Sequence, residues 1–291
     1  MIVLKGAEVS ARLKEDVQEL LGRFPVGSRV PVAAIVRVGE RPDDVSYERN
    51  VIKRIAAFGM EARVYVFPAD IPAAEFVREF QTINEDKEID GILLFRPLPA
   101  HMDGRLFERL IRPEKDLDGI SPVNAAKVFA GEADGFAPCT AEAVIEVLKA
   151  YELPIEGKRA VIVGRSMVVG RPLAMLLLRE NATVTVCHTK TRDLGKICRE
   201  AEILVAAAGR AGMLTKDETA EGAVVIDVGI NVDQNGKLCG DMVWDGLETA
   251  AAAATPVPGG VGAVTTAVLA KHLAQAAWRS RQTMDASEQE A

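Results

Sequence analysis

Residues 158–172 read KRAVIVGRSMVVGRP, and the fold of this chain is decided in that stretch. Ala160 to Val163 is a short apolar, β-branched run, the pattern of a parallel strand buried on both faces. Gly164 ends the run and Gly170 follows it. Pro172 then stands where the first turn of a helix tolerates proline, and PLAMLLL continues as a helical apolar stretch. A strand, a glycine turn and a helix in that order aim backbone N–H groups at a phosphate. The spacing departs from the usual G-x-G-x-x-G. It reads Gly-Arg-Ser-x-x-x-Gly, placing Arg165 and Ser166 inside the turn. The planar, five-donor guanidinium of Arg165 suits phosphate.

A second polar cluster follows the next apolar run. TVTV at 183–186 leads into Cys187-His188-Thr189-Lys190-Thr191. In a dinucleotide-binding unit the end of the second strand lies beside the adenine ribose. A carboxylate there accepts from the 2′-OH and favours NAD. Here the first acid is Asp193, and the hydroxyl and basic groups before it favour a 2′-phosphate, hence NADP. The competing reading is a solvated loop that happens to be basic.

With 291 residues the chain is too long for one small core and fits two domains. A net charge of -7 argues against a nucleic-acid partner. Cys139, Cys187, Cys198 and Cys239 are scattered, with no CxxC pair, so neither zinc nor a disulfide framework is expected and a reducing cytoplasm fits. His101, His188 and His272 show no metal-ligand spacing, and no metal is expected. The N-terminal MIVLKGAEVSARLKEDV lacks a long apolar core and a cleavage site, so neither a signal peptide nor a membrane span is expected.

Alternation of elements predicts a mostly parallel α/β architecture. Helices are expected at 9–21, 47–58 and 73–84, and strands at 32–38, 61–67 and 90–95. A boundary falls at FAPCT, 136–140, where Thr140 is positioned to cap a helix over 141–151. Further strands are expected at 203–207 and 224–228. TPVPGGVGAVTT, 255–266, opens a final helix over 264–278, and the polar residues after it read as disordered.

Taken together these blocks resemble the bifunctional methylenetetrahydrofolate dehydrogenase/cyclohydrolase family. The likeness rests on VGERPDDVSYERN, DGILLFRPLP, PEKDLDGISPVNA, PCT, VIVGRSMVVGRP, TVTVCHTKT, AEILVAAAGR, VIDVGINV and TPVPGGVGAVTT, in order along nearly the whole chain. The resemblance implies two α/β domains. One is an N-terminal folate domain, with a parallel sheet of the amino-acid-dehydrogenase kind, at 1–137 plus 263–280. The other is a C-terminal Rossmann-like NADP domain at 138–262, with 281–291 left as a disordered tail. It implies a cleft between the domains, a homodimer, and tetrahydrofolate one-carbon derivatives as substrates. It assigns coenzyme contacts to Gly164, Arg165, Ser166, Gly170, Thr189 and Ile230. It assigns substrate contacts to Tyr47, Asp118 and the loop of Pro258, Gly259 and Gly262, with Tyr47 and Asp118 also expected to be catalytic.

The chain departs from the family at the chemistry. Family members carry Tyr-x-x-x-Lys; here Tyr47 is followed at that spacing by Val51. The glutamine before the family's Leu-Pro pair is Phe95, and Pro-Met after the last loop glycine is Ala263-Val264. Hydrolysis of the methenyl ion needs an activated water and proton movement, for which a cleft lysine serves as base and a glutamine amide orients it. Val51 and Phe95 have no donor, acceptor or titratable proton. Hydride transfer needs alignment, which is worth on the order of 7–11 kcal/mol. The expectation is an NADP-dependent oxidation of 5,10-methylenetetrahydrofolate to the 5,10-methenyl form, with cyclohydrolase activity weak or lost. The alternatives are a full bifunctional enzyme, a non-catalytic folate- or NADP-binding relative, and a dehydrogenase for a modified pterin. Arg54 shares a helical stripe with Tyr47 and reads either as an anion contact or as a surface ion pair. Strand alternation sets Arg96 opposite Phe95. Asp43 and Asp44 read as helix caps, or else as a change at the cleft rim. His188 reads as a neighbour of the 2′-phosphate or as a loop residue, and His272 and Cys139 read as structural.

Overall fold

The computed structural model describes residues 1–289 apart from Asn235, with backbone alone from residue 283. In chain order the elements begin with β1 (Ile2–Val3), α1 (Gly6–Gly22), β2 (Val32–Val38), α2 (Pro42–Ala57) and β3 (Glu61–Phe67). Next come α3 (Ala73–Glu85), β4 (Gly91–Leu94), α4 (Gly104–Leu110), α5 (Pro122–Ala130) and α6 (Cys139–Ala150). The second half runs β5 (Arg159–Val163), α7 (Gly170–Arg179), β6 (Thr183–Cys187), α8 (Leu194–Cys198), β7 (Ile203–Ala206) and β8 (Val224–Asp227). It closes with β9 (Asn231–Val232), β10 (Leu238–Cys239), β11 (Ala253–Ala254) and α9 (Val261–Gln289).

The chain divides into two compact units. One holds Met1–Arg12, Val128–Ala133 and Ala137–Thr265. Its sheet has the order β1-β11-β8-β7-β5-β6 with every pairing parallel. The chain leaves β5 for β6 on one side and then returns to β7 on the other, so β5 is the point where the strand order reverses. Ligands of open α/β sheets bind at the carboxyl ends of strands beside such a point. β7 is buried along its whole length, as expected of a central parallel strand.

The other unit holds Leu13–Lys127, Asp134–Phe136 and the chain from Thr266. Its parallel sheet has the order β3-β2-β4. Val32, Ala34 and Val36 of β2 pack into one core with Phe76 and Phe80 of α3 and Phe107 of α4. The Phe76 ring centroid lies 4.7 Å from that of Phe107 and 5.1 Å from that of Phe67. The alternate residue Arg37 turns the other way, and its Nε donates to Glu48 of α2 at 2.6 Å. Both partners are buried. Removing one alone costs about 3–5 kcal/mol, so this pair fixes α2 on β2. Trp278 of α9 stacks on Phe24 at 5.3 Å in this same unit, while Trp244 belongs to the six-stranded unit and is partly exposed.

Residues 1–12 group with the six-stranded unit, where β1 pairs in parallel with β11. At two helix starts the structure differs from the sequence expectation. The sequence suggests Thr140 as a helix cap, yet α6 starts at Cys139 with Pro138 before it and no side-chain cap bond. Likewise Asp43 and Asp44 lie within the first turn of α2 and cap nothing by hydrogen bond. They complement the helix dipole there, and Asp44 also pairs with Arg41 at 2.8 Å. The backbone of α9 is helical through Gln289. From residue 281 on, that segment has no glycine or proline and is rich in Ala, Glu and Gln, which favour helix. Residues 290 and 291 lie outside the described residues.

Candidate functional site

In the six-stranded unit the glycine turn sits at the carboxyl end of β5. Gly164 has φ +140°, and a Cβ there would lie 2.1 Å from the Ala207 carbonyl oxygen, just past β7. A Cβ on Gly170 would lie 2.1 Å from the Gly164 carbonyl oxygen. Both positions therefore demand glycine, and together they fold the turn tightly against the start of α7. Ser166 Oγ accepts from the Val169 N–H at 3.1 Å, and the Arg171 N–H donates to the Ser166 carbonyl at 3.1 Å. Arg165 and Ser166 lie at the tip, and both are exposed.

The adjacent strand end supplies the second cluster. The His188 N–H donates to Thr191 Oγ1 at 2.8 Å, and His188 Nδ1 accepts from the Lys190 N–H at 3.1 Å. His188 thus shapes this loop, while Thr189 and Lys190 stay exposed. Ile230 is 69% exposed, too much for a core isoleucine, and its Cδ1 lies 3.6 Å from where a Gly262 Cβ would be. The loop of Pro258 and Gly259 is tied down by the Gly6 N–H, which donates to the Gly259 carbonyl at 2.8 Å. Exposed hydroxyls, cations and one apolar side chain, set along the carboxyl ends of β5, β6 and β8, suit a phosphate-bearing dinucleotide.

Two buried acids that sequence reading misses organise this unit. Asp241 accepts from the N–H groups of Ala208, Gly209 and Arg210 at 2.6, 2.9 and 2.7 Å. It also accepts from Asn231 Nδ2 at 2.9 Å. It so holds the loop after β7 to the segment that carries Ile230. Asp227 accepts from the N–H groups of Gly229, Asp241 and Met242. Burial pushes its carboxyl above the usual range, although those donors pull the other way. The Gly240-Asp241 step after a short hairpin is the one signal of them in the sequence.

In the three-stranded unit, Tyr47 and Phe95 are brought together with ring centroids 5.6 Å apart. Val51, one turn along α2 from Tyr47, is fully buried, and Phe95 is nearly so. Asp118 lies 3.9 Å from Arg96 Nη2, and Arg96 Nη1 is 3.1 Å from Glu108 Oε1. Alternation sets Arg96 away from the site, but β4 ends at Leu94, so the alternation rule no longer applies and Arg96 reaches Asp118. Arg54 Nε donates to Thr266 Oγ1 at 3.2 Å, and its guanidinium lies over the Phe58 ring. Around Asp118 the backbone is held firmly. Asp116, fully buried, accepts from the N–H groups of Ile120 and Ser121 and from Asn124 Nδ2. His272 Nδ1 lies 2.8 Å from the Leu117 carbonyl. His101 and Cys139 take structural places, the first 3.0 Å from the Ile71 carbonyl and the second buried in α6.

Two family models cover most of this chain. The tetrahydrofolate dehydrogenase/cyclohydrolase catalytic domain matches residues 4–118, and the NAD(P)-binding domain of the same family matches 138–281. The chain belongs to the tetrahydrofolate dehydrogenase/cyclohydrolase family. A family member from Clostridium kluyveri, named bifunctional protein FolD, is 48% identical over 94% of this chain and 97% of its own. The bifunctional FolD enzyme of Campylobacter jejuni superposes with a TM-score of 0.92 at 38% identity, covering 95% of this chain and 98% of that one. The Trypanosoma brucei dehydrogenase-cyclohydrolase, solved with NADP cofactor and an inhibitor, gives 0.88 at 35% identity and 98% of both chains. Among the described residues of this family member, no His, Cys, Asp or Glu cluster is arranged to hold a metal, and no helix is long and apolar enough to cross a membrane.

Proposed function

We propose that this chain is an NADP-dependent 5,10-methylenetetrahydrofolate dehydrogenase whose cyclohydrolase activity is weak or lost. The observation that carries the proposal is the packing of Val51 and Phe95 beside Tyr47. Both positions where the family has a polar group are apolar and buried. Without a proton carrier, water attack on the methenyl carbon loses general acid–base help worth about 10²–10⁴ in rate. The bound coenzyme supplies the hydride acceptor. Gly164, Arg165, Ser166, Gly170 and Thr189 are the residues that would hold its phosphates and ribose, and Ile230 its apolar face. Asp118 would anchor the pterin through charge-assisted hydrogen bonds, and Tyr47 would shape the ring pocket. Pro258, Gly259 and Gly262 would line the substrate side of the loop. Thr189 and Lys190 without a nearby carboxylate support NADP over NAD.

Purified protein given methylenetetrahydrofolate and NADP should accumulate the methenyl product. Its prompt conversion to 10-formyltetrahydrofolate would refute the claim. It would favour the second reading, a full bifunctional enzyme, which the identity with relatives named bifunctional supports. No methenyl product at all would point to a non-catalytic binding protein. We further infer a cytoplasmic homodimer. An open sheet edge at β3 with Val64 and Val66 exposed supports self-association. Light scattering should give twice 31.3 kDa.

A further inference from the structure

We propose that Asp241 is a positioning residue for the nicotinamide half of the coenzyme, acting through the 208–210 loop and the Asn231 side chain; this rests on the NADP site given above. The strand order decides which half is concerned. In a dinucleotide-binding sheet the adenine ribose lies beside the second strand and the pyrophosphate at the first glycine turn. Here those places are the end of β6, with Thr189 and Lys190, and the turn after β5. On the far side of β5 lie β7 and then β8. Their carboxyl ends, Ala208-Gly209-Arg210 and Ile230, are exposed and face the remaining half.

One carboxylate ties these two ends together. Asp241 Oδ2 accepts from the Ala208 and Gly209 N–H groups at 2.6 and 2.9 Å, and Oδ1 from the Arg210 N–H and Asn231 Nδ2 at 2.7 and 2.9 Å. Four donors fill the lone-pair sites of a fully buried carboxylate. The two acids divide the work. Asp227, at the end of β8, fixes the backbone N–H of Asp241 at 3.0 Å and that of Met242 at 2.8 Å. Asp241 then reaches out to the two exposed segments. Gly229 lets it approach, since a Cβ there would lie 2.3 Å from Asp241 Oδ1. In a planar trans peptide the carbonyl points opposite to the N–H. Each N–H drawn to Asp241 therefore turns the preceding carbonyl the other way. That of Ala207 is set against Gly164, as the 2.1 Å approach to a Cβ there records. Those of Ala208 and Gly209 are turned away from the carboxylate in an exposed segment, as acceptors for hydroxyl or amide donors of a ligand. A loop ordered before binding keeps affinity that a loose one would lose.

The test is calorimetric titration of the full chain with NADP and with 2′,5′-ADP, which carries the adenosine half alone, for Asn231→Ala and Asp241→Asn. Asn231→Ala removes one link and spares the buried acid. Asp241→Asn keeps the shape, but one edge of its amide sets N–H donors against N–H donors. The NADP Kd should rise about three- to ten-fold in Asn231→Ala and at least about ten-fold in Asp241→Asn, while the 2′,5′-ADP Kd stays within about two-fold of the parent in both. Turnover at saturating NADP and methylenetetrahydrofolate should fall as well, because hydride transfer depends on alignment. Parallel losses for the two ligands with a lowered Tm would make Asp241 merely structural and overturn the inference. An unchanged NADP Kd in Asn231→Ala also overturns it, even where Asp241→Asn does not fold. If the parent binds neither NADP nor 2′,5′-ADP, the coenzyme site itself fails and the positioning role falls with it.

Discussion

Val51 is fully buried on α2, and a charged side chain there would have to be desolvated. That cost is the reason an apolar residue at this position is stable, and the reason a lysine there would have an unusual proton affinity. Replacing Val51→Lys together with Phe95→Gln should restore an enzyme-dependent hydrolysis about 10²-fold above the parent, read by loss of the methenyl absorbance. The same pair should lower Tm, because the buried amine replaces well-packed methyl groups. A folded double variant with no gain in hydrolysis would show that the missing activity lies elsewhere. None of this was hidden from sequence: Tyr47, Val51 and Phe95 are read directly against the family pattern. The Arg96–Asp118 contact was hidden, since it arises only after β4 has ended.

At the scale of elements, the glycine turn between β5 and α7 is the most constrained feature. Gly164→Ala would set a methyl 2.1 Å from a backbone oxygen at a φ of +140°, with no flexible side chain to give way. NADP affinity should fall by at least about ten-fold, the size of one strained backbone site, while tetrahydrofolate affinity measured by titration stays unchanged. Strands with long apolar runs were legible: β2 and β3 have the bounds their sequences suggest, 32–38 and 61–67. The short strands β1, β9, β10 and β11 were not, because two-residue pairings carry no periodicity and depend on their partners. Thr140 misled for a related reason. A hydroxyl is a cap only if the preceding backbone turns there, and Pro138 sets the start of α6 two residues earlier.

At the scale of the whole molecule, all four cysteines fall in the six-stranded unit. Burial pushes the Cys198 thiol up to about 12 and raises that of Cys187 as well. Near pH 8 both stay protonated and enclosed, so the nucleophilic thiolate is scarce. Cys139 is buried too, whereas Cys239 is partly accessible. A chromogenic disulfide reagent at pH 8 should modify one thiol quickly and the others only in denaturant; rapid modification of several in the native protein would contradict the packing. The stack of Trp278 on Phe24 and the partly exposed Trp244 have one more consequence. Each unit contains a single indole, so fluorescence of Trp278→Phe or Trp244→Phe protein watches one half at a time. Coincident melting curves would mean the two halves unfold as one body, and separate curves would give each its own free energy.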